Sequence, residues 1–292
     1  MKSIVCAMWI TLAAATAGAA DLGPFWHDGK AEVSGYRLTV SRYGENRDGT
    51  AVMIFVTEPF NMAKRVKEER PPAKPRETTG VLKLNLVRDF QTGIYDYNTM
   101  VSVFASEETL QPVKVSFSSA EWCGHVYSEM RVDAASIRGT CSSYFEDESG
   151  PISLGRPSGG IMEDELFIAL RGLKQDFLAP GASTAVAYLP GTFYARLSHQ
   201  PLAWTQATIT RAPNETITVP AGSYACKVYQ LRIVDDRTGT FWIEDAAPHR
   251  IVKWTLAPDV NGELTGSARL AYWRQHAEGD EAALKQLGLE PQ

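Results

Sequence analysis

The chain has 292 residues, 44% of them hydrophobic and 22% charged, and a net charge of −5. This is the composition of a soluble globular protein with a core of ordinary size. An acidic balance with no basic stripe excludes a typical nucleic-acid binder.

The first twenty residues differ from the rest. Lys2 supplies a positive start, residues 4–15 are mostly apolar, and Thr16-Ala17-Gly18-Ala19-Ala20 offers small residues for cleavage. This pattern predicts a signal peptide over 1–20, cleaved near Ala19 or Ala20, and export, most simply to a periplasm. The apolar run is short for a membrane span. Cys6 lies inside the signal without the Leu-small-small-Cys of a lipid-modified terminus. No later segment has eighteen apolar residues in a row, so the mature chain is expected to carry no transmembrane segment. Residues 21–292 read as a single β-rich domain.

Period-two alternation dominates that domain. Tyr36, Leu38 and Val40 alternate with Arg37, Thr39 and Ser41. Residues 51–56 are apolar throughout, which predicts a strand covered on both sides. Asn46-Arg47-Asp48-Gly49 reads as a hairpin turn. Lys64, Arg65 and Lys67 lead into the proline-stiffened Arg70-Pro71-Pro72-Ala73-Lys74-Pro75-Arg76, a basic connection read as a solvated loop. Leu82, Leu84 and Leu86 form the next alternation, and Val113, Val115 and Phe117 another. Further strands are predicted over 93–105, 122–132, 142–146, 184–189, 192–198, 203–211 and 268–273. One helix is predicted over 162–174, with Leu166, Leu170 and Leu173 on a buried face and Glu163, Asp164 and Glu165 at its positive end. A weaker helix is predicted over 280–287. The expected fold is mainly β: a large curved antiparallel sheet, a half-barrel or open barrel, with one packed internal helix.

Signatures of chemistry are sparse. The chain has no phosphate loop, no His-Glu-x-x-His, no EF-hand and no Gly-x-Ser-x-Gly elbow. Glu121-Trp122-Cys123-Gly124-His125 is the densest reactive cluster. Cys123 and His125 share one strand face with Glu129, the only arrangement that suggests a thiol or hydrolase site. The other mature histidines are scattered, and no metal or cofactor is expected. Three cysteines remain after cleavage. Cys123 and Cys141, the closer pair, flank a turn-like centre at 133–136, so a Cys123–Cys141 disulfide is expected, with Cys226 free and buried; the alternative is three buried free thiols.

The C-terminal part carries Val219-Pro220-Ala221-Gly222-Ser223-Tyr224, then Trp242 on a strand, then Pro248-His249-Arg250-Ile251-Val252-Lys253. Pro220 fixes the strand end and Gly222 permits a tight corner. Together with Leu170-Arg171-Gly172-Leu173, these motifs resemble a family of exported bacterial proteins of unknown function, over roughly residues 160–273. The resemblance implies a half-barrel similar to that of the lipoprotein-localisation factors, wrapped around helices and enclosing an apolar hollow. It implies no catalytic residues.

Aromatic residues on the predicted strands suggest a lining for such a hollow. Tyr95, Tyr97, Trp242 and Trp254 are the candidate ligand-binding residues. The leading expectation is therefore a non-catalytic exported protein that binds a lipid or acyl chain. The alternatives are an envelope structural or assembly factor that binds another protein, and an enzyme that uses the Cys123–His125 face.

Overall fold

The computed structural model describes residues 22–70, 77–234, 236–257 and 260–291. The predicted signal peptide and the proline-rich stretch 71–76 lie outside them. The chain first builds a meander of β1 (Ala31–Arg42), β2 (Glu45–Asn61), the short β3 (Val66–Lys67), β4 (Thr78–Thr92), β5 (Tyr95–Ser106), β6 (Pro112–Glu121), β7 (Gly124–Val132), β8 (Ser136–Ser143) and β9 (Gly150–Gly155). After β10 (Ile161–Met162) and helix α1 (Glu163–Ala169) come β11 (Ser183–Leu189) and helix α2 (Thr192–Ser198). A second meander follows: β12 (Thr205–Val219), β13 (Gly222–Ile233), β14 (Thr238–Glu244), β15 (Ile251–Leu256) and β16 (Val260–Leu270).

All these strands belong to one sheet. Antiparallel pairing of β1 with β16 joins the two meanders at its middle, and β9 and β10 are its two ends. Those ends are consecutive in the chain, separated only by residues 156–160. A linker of that length spans at most about 20 Å. The sheet therefore curls until its ends approach, giving a barrel-like form with a gap.

The predicted alternations fall on the two faces as expected. Leu38, Val40, Met53, Phe55, Leu84, Leu86, Val115 and Phe117 are buried on the concave side in one continuous core. Both helices fill that side. Phe167 of α1 packs edge-on against Phe241 and Trp254, at centroid distances of 5.3 and 5.7 Å. Trp254 lies over its register partner Gly262, where any Cβ would come within 2.1 Å of the indole. Only glycine fits there.

β2 is covered on both sides, as its unbroken apolar run predicts. Its outer face meets the C-terminal 3₁₀ helix Asp280–Leu287, whose Leu287 packs with Ala31, Val33 and Val56.

Three elements differ from the sequence expectations. Asn46-Arg47-Asp48-Gly49, expected as a hairpin turn, lies inside β2 and pairs with β1, and the turn itself is Tyr43-Gly44, where both residues take positive φ. The helix predicted over 162–174 stops at Ala169, and Gly172 then takes φ +65°. Arg171 is fully buried beyond the helix end rather than facing solvent. Its Nη2 donates to Glu32 Oε2 at 2.9 Å, and its Nε and Nη2 donate to the carbonyls of His249 and Pro248. The segment 192–198, predicted as a strand, is helix α2. Phe193 and Leu197, one turn apart, face the core, and Arg196 is drawn inward beside them.

Candidate functional site

A cavity of about 830 Å³ lies at the β9 end of the sheet, between the inner face of β6–β9 and helix α2 with the residues that follow it. Its apolar wall comes from Phe117 on β6, Val126 on β7, Ile152 and Leu154 on β9, Phe145 in the β8–β9 loop, and Leu202 after α2. Ser128, Cys141, Glu148, Arg196 and His199 supply its polar groups. Val126 and Ser128 alternate into the cavity from β7, and Thr192, Ala195 and Arg196 of α2 face them.

Arg196 anchors one side of the cavity. Its guanidinium forms a buried ion pair with Glu121 and lies over the Phe145 ring, 3.9 Å from the centroid. Glu121 also accepts a hydrogen bond from Tyr95 Oη at 3.0 Å. His199 Nδ1 sits 2.6 Å from Glu148 Oε1. Burial raises the Glu148 carboxyl, but hydrogen bonds from Ser143 and His199 outweigh it and hold Glu148 below the usual carboxylate range. Burial, reinforced by the Glu148 charge, pushes the Cys141 thiol up. Cys141 is thus held as a neutral thiol, the reverse of an activated nucleophile.

A second feature lies deeper on the concave face. Arg88, Thr99 and Ser119 stand side by side on β4, β5 and β6 in direct register. They are 3%, 1% and 2% exposed. Arg88 Nε and Nη1, Thr99 Oγ1 and Ser119 Oγ are buried without a hydrogen-bond partner. The next residue in the row is Val126, which lines the cavity.

The end of the barrel that carries the β8–β9 loop is rimmed by apolar tips. Antiparallel pairing places the β1–β2, β4–β5, β6–β7 and β8–β9 turns at that end. Each turn exposes a large apolar side chain: Tyr43, Ile94, Trp122 and Tyr144. Single exposed apolar residues are ordinary, but four successive tips at one end of a sheet are not.

The residues singled out from the sequence are dispersed. Tyr95 and Tyr97 lie together, with centroids 5.1 Å apart, and Tyr97 stacks on Phe90. Trp254 fills the core beneath α1, and Trp242 alternates with buried Phe241 and Ile243, its indole donating to Glu215 at 2.9 Å. None of these four lines the cavity. Cys123 is exposed in the β6–β7 turn, and His125 is exposed on β7. Glu129 is paired with Lys114 at 2.8 Å. Among the described residues no cluster of His, Cys, Asp and Glu has the arrangement to hold a metal ion.

The expected Cys123–Cys141 disulfide is corrected: both thiols are free, as is buried Cys226. Cys141 faces Ser128, so Cys123 is displaced along β7 by about 16 Å at ~3.3 Å per residue. A disulfide tolerates a Cα separation of only about 7 Å. The hairpin centre at 133–136 was read correctly, but the two cysteines are not equidistant from it. The basic stretch is partly absorbed into the fold. Arg65 pairs with Asp133 at 2.7 Å and donates to the Val113 carbonyl.

Sequence reasoning missed Arg196, Glu148, Arg88, Thr99 and Ser119. The signal available was parity: Arg88 falls on the same strand face as Leu84 and Leu86, and Thr99 on that of Tyr97 and Val101.

Comparison with known proteins adds little. No family model matches the chain, and no curated protein matches it. A solved structure that it is similar to is a beta-barrel-like protein of a domain of unknown function from Brucella abortus. The identity is 10% and the TM-score 0.48, over 82% of this chain and 98% of that one.

Proposed function

We propose that the chain is an exported, non-catalytic protein that binds an apolar or lipid ligand in the cavity at the β9 end of its curled sheet. The observation that carries this reading is the cavity of about 830 Å³ with an apolar wall on β6, β7 and β9. Ligand sites commonly occupy roughly 300–1,000 Å³ with such linings. The apolar tips Tyr43, Ile94, Trp122 and Tyr144 support it as well, because they give an apolar ligand a path of low desolvation cost toward the barrel end. The half-barrel of the lipoprotein-localisation factors, similar to the fold implied by the exported family that the 160–273 motifs resemble, is a fold-level analogy for the hollow. Export rests on residues 1–20 and is checked by N-terminal sequencing of the secreted protein, with cleavage near Ala19 or Ala20 expected.

Displacement of a fluorescent fatty acid from the purified mature protein tests the binding. Saturable binding is expected, and Leu154→Trp, which narrows the cavity, is expected to weaken it. A wild-type protein that shows no saturable binding overturns the reading. In that case the same exposed tips favour a second one, an envelope assembly factor that docks another protein at this end of the barrel.

A further inference from the structure

We propose that the row Arg88–Thr99–Ser119 is the headgroup anchor of this ligand site, and that it takes the carboxylate of a long-chain acid whose apolar body lies in the cavity. The inference rests on the binding function proposed above and adds the chemistry of the ligand's polar end.

Three adjacent strands present these side chains at one level of the concave face. A folded chain seldom leaves a buried polar group unpaired, since each such group loses its hydration with nothing in return. Here four buried atoms from three neighbouring residues lack a partner together: Arg88 Nε and Nη1, Thr99 Oγ1 and Ser119 Oγ. Unpaired groups that arise by accident are scattered, whereas these form one patch. The row adjoins the cavity. Val126 continues the row into the cavity wall, and Phe193, under Arg88 at 4.5 Å, adjoins cavity-lining Thr192.

The donors define the ligand. Two guanidinium N–H groups and two hydroxyls match the two oxygens of a carboxylate, which accept up to four hydrogen bonds. The acids near Arg88 are already engaged. Glu163 accepts from Tyr188 Oη at 2.6 Å and Asp164 from the Thr192 amide at 3.1 Å. Neither takes a hydrogen bond from Arg88, so its Nε and Nη1 remain directed to a ligand. The same two acids disfavour a doubly charged head such as a phosphate monoester. Burial lowers the Arg88 guanidinium to about 10, with Asp164 and Glu163 opposing the shift, so it remains a cation at neutral pH.

The test is equilibrium binding of radiolabelled palmitate and of hexadecanol, which shares the chain but lacks the charge, to the delipidated mature protein. Wild type is expected to bind palmitate about tenfold or more tightly than the alcohol. Arg88→Met is expected to remove that preference, bringing palmitate affinity down to that of hexadecanol. Thr99→Val combined with Ser119→Ala keeps the cation and the side-chain shapes, and is expected to weaken palmitate several-fold even if Arg88→Met does not fold. Equal wild-type affinities for acid and alcohol, or palmitate affinity unchanged in the variants, overturn the anchor while leaving the binding function standing. Failure of both probes to bind wild type overturns both.

Discussion

Arg171 and Glu32, 139 residues apart, meet as a buried ion pair: Nη2 donates to Oε2 at 2.9 Å, and Nη1 lies 2.9 Å from Oε1. The guanidinium also lies against two aromatic rings, 4.3 Å from the Phe55 centroid and 5.1 Å from that of Trp26. This one side chain ties the end of α1 to β1, to the N-terminal 3₁₀ turn and to the loop before β15. Removing one partner leaves an uncompensated buried charge. Arg171→Met and Glu32→Leu are each expected to cost about 3–5 kcal/mol, and the double substitution less than the sum. Urea unfolding of the three variants checks this.

Leu170 closes α1 and is 1% exposed. Its side chain belongs to the main core beneath the sheet. Leu170→Ala is expected to destabilise the protein by about 2–5 kcal/mol, through lost burial and the cavity left behind. A loss under about 1 kcal/mol in denaturant titration would place the side chain outside a packed core.

The cysteines give a chemical check on the strand register. Non-reducing peptide mapping is expected to show no Cys123–Cys141 link. Exposed Cys123 is expected to alkylate readily in the native protein. Buried Cys226, whose thiol is pushed up to about 12 by burial and the acids Glu244, Glu215 and Asp245, is expected to react only after unfolding. Rapid native labelling of Cys226 would contradict its place in the core.

The sequence reported the sheet well because one face of most strands meets water. Tyr36-Leu38-Val40 and Leu82-Leu84-Leu86 alternate for that reason, and a two-residue period survives without knowledge of the partners. It reported the interior poorly wherever polar residues turn inward. Arg88 and Arg171 look like solvated charges in the sequence, since the carboxylate and rings around Arg171 come from distant strands. Helix α2 was read as a strand because seven residues show less than two full helical turns of periodicity. The cavity was not legible at all: it exists only where β6 to β9 and the distant helix α2 come together around it. That depends on how far the whole sheet curls.

Glu165 gives the fold a calculable pH dependence. The side chain is 5% exposed, and its Oε2 lacks a hydrogen bond. Burial raises its carboxyl to about 7 from an ordinary 4.5, even though Arg156 lies 3.9 Å away and opposes the shift. Neighbouring Asp164 is raised to about 6, by burial and by the Glu163 charge. A carboxyl with a raised pKa binds more protons in the folded state than in the unfolded one. Stability therefore falls as pH rises through the window from about 4 to 7, and levels off above it. Glu165→Gln removes the ionisation while keeping the shape. It is expected to leave stability near pH 4 almost unchanged and to raise it at pH 8 by on the order of 3 kcal/mol, from 1.36 kcal/mol per pKa unit. Urea unfolding of wild type and variant across pH 4–8 reads both limits. If the two curves run parallel across that range, the Glu165 carboxylate is not desolvated in the folded protein.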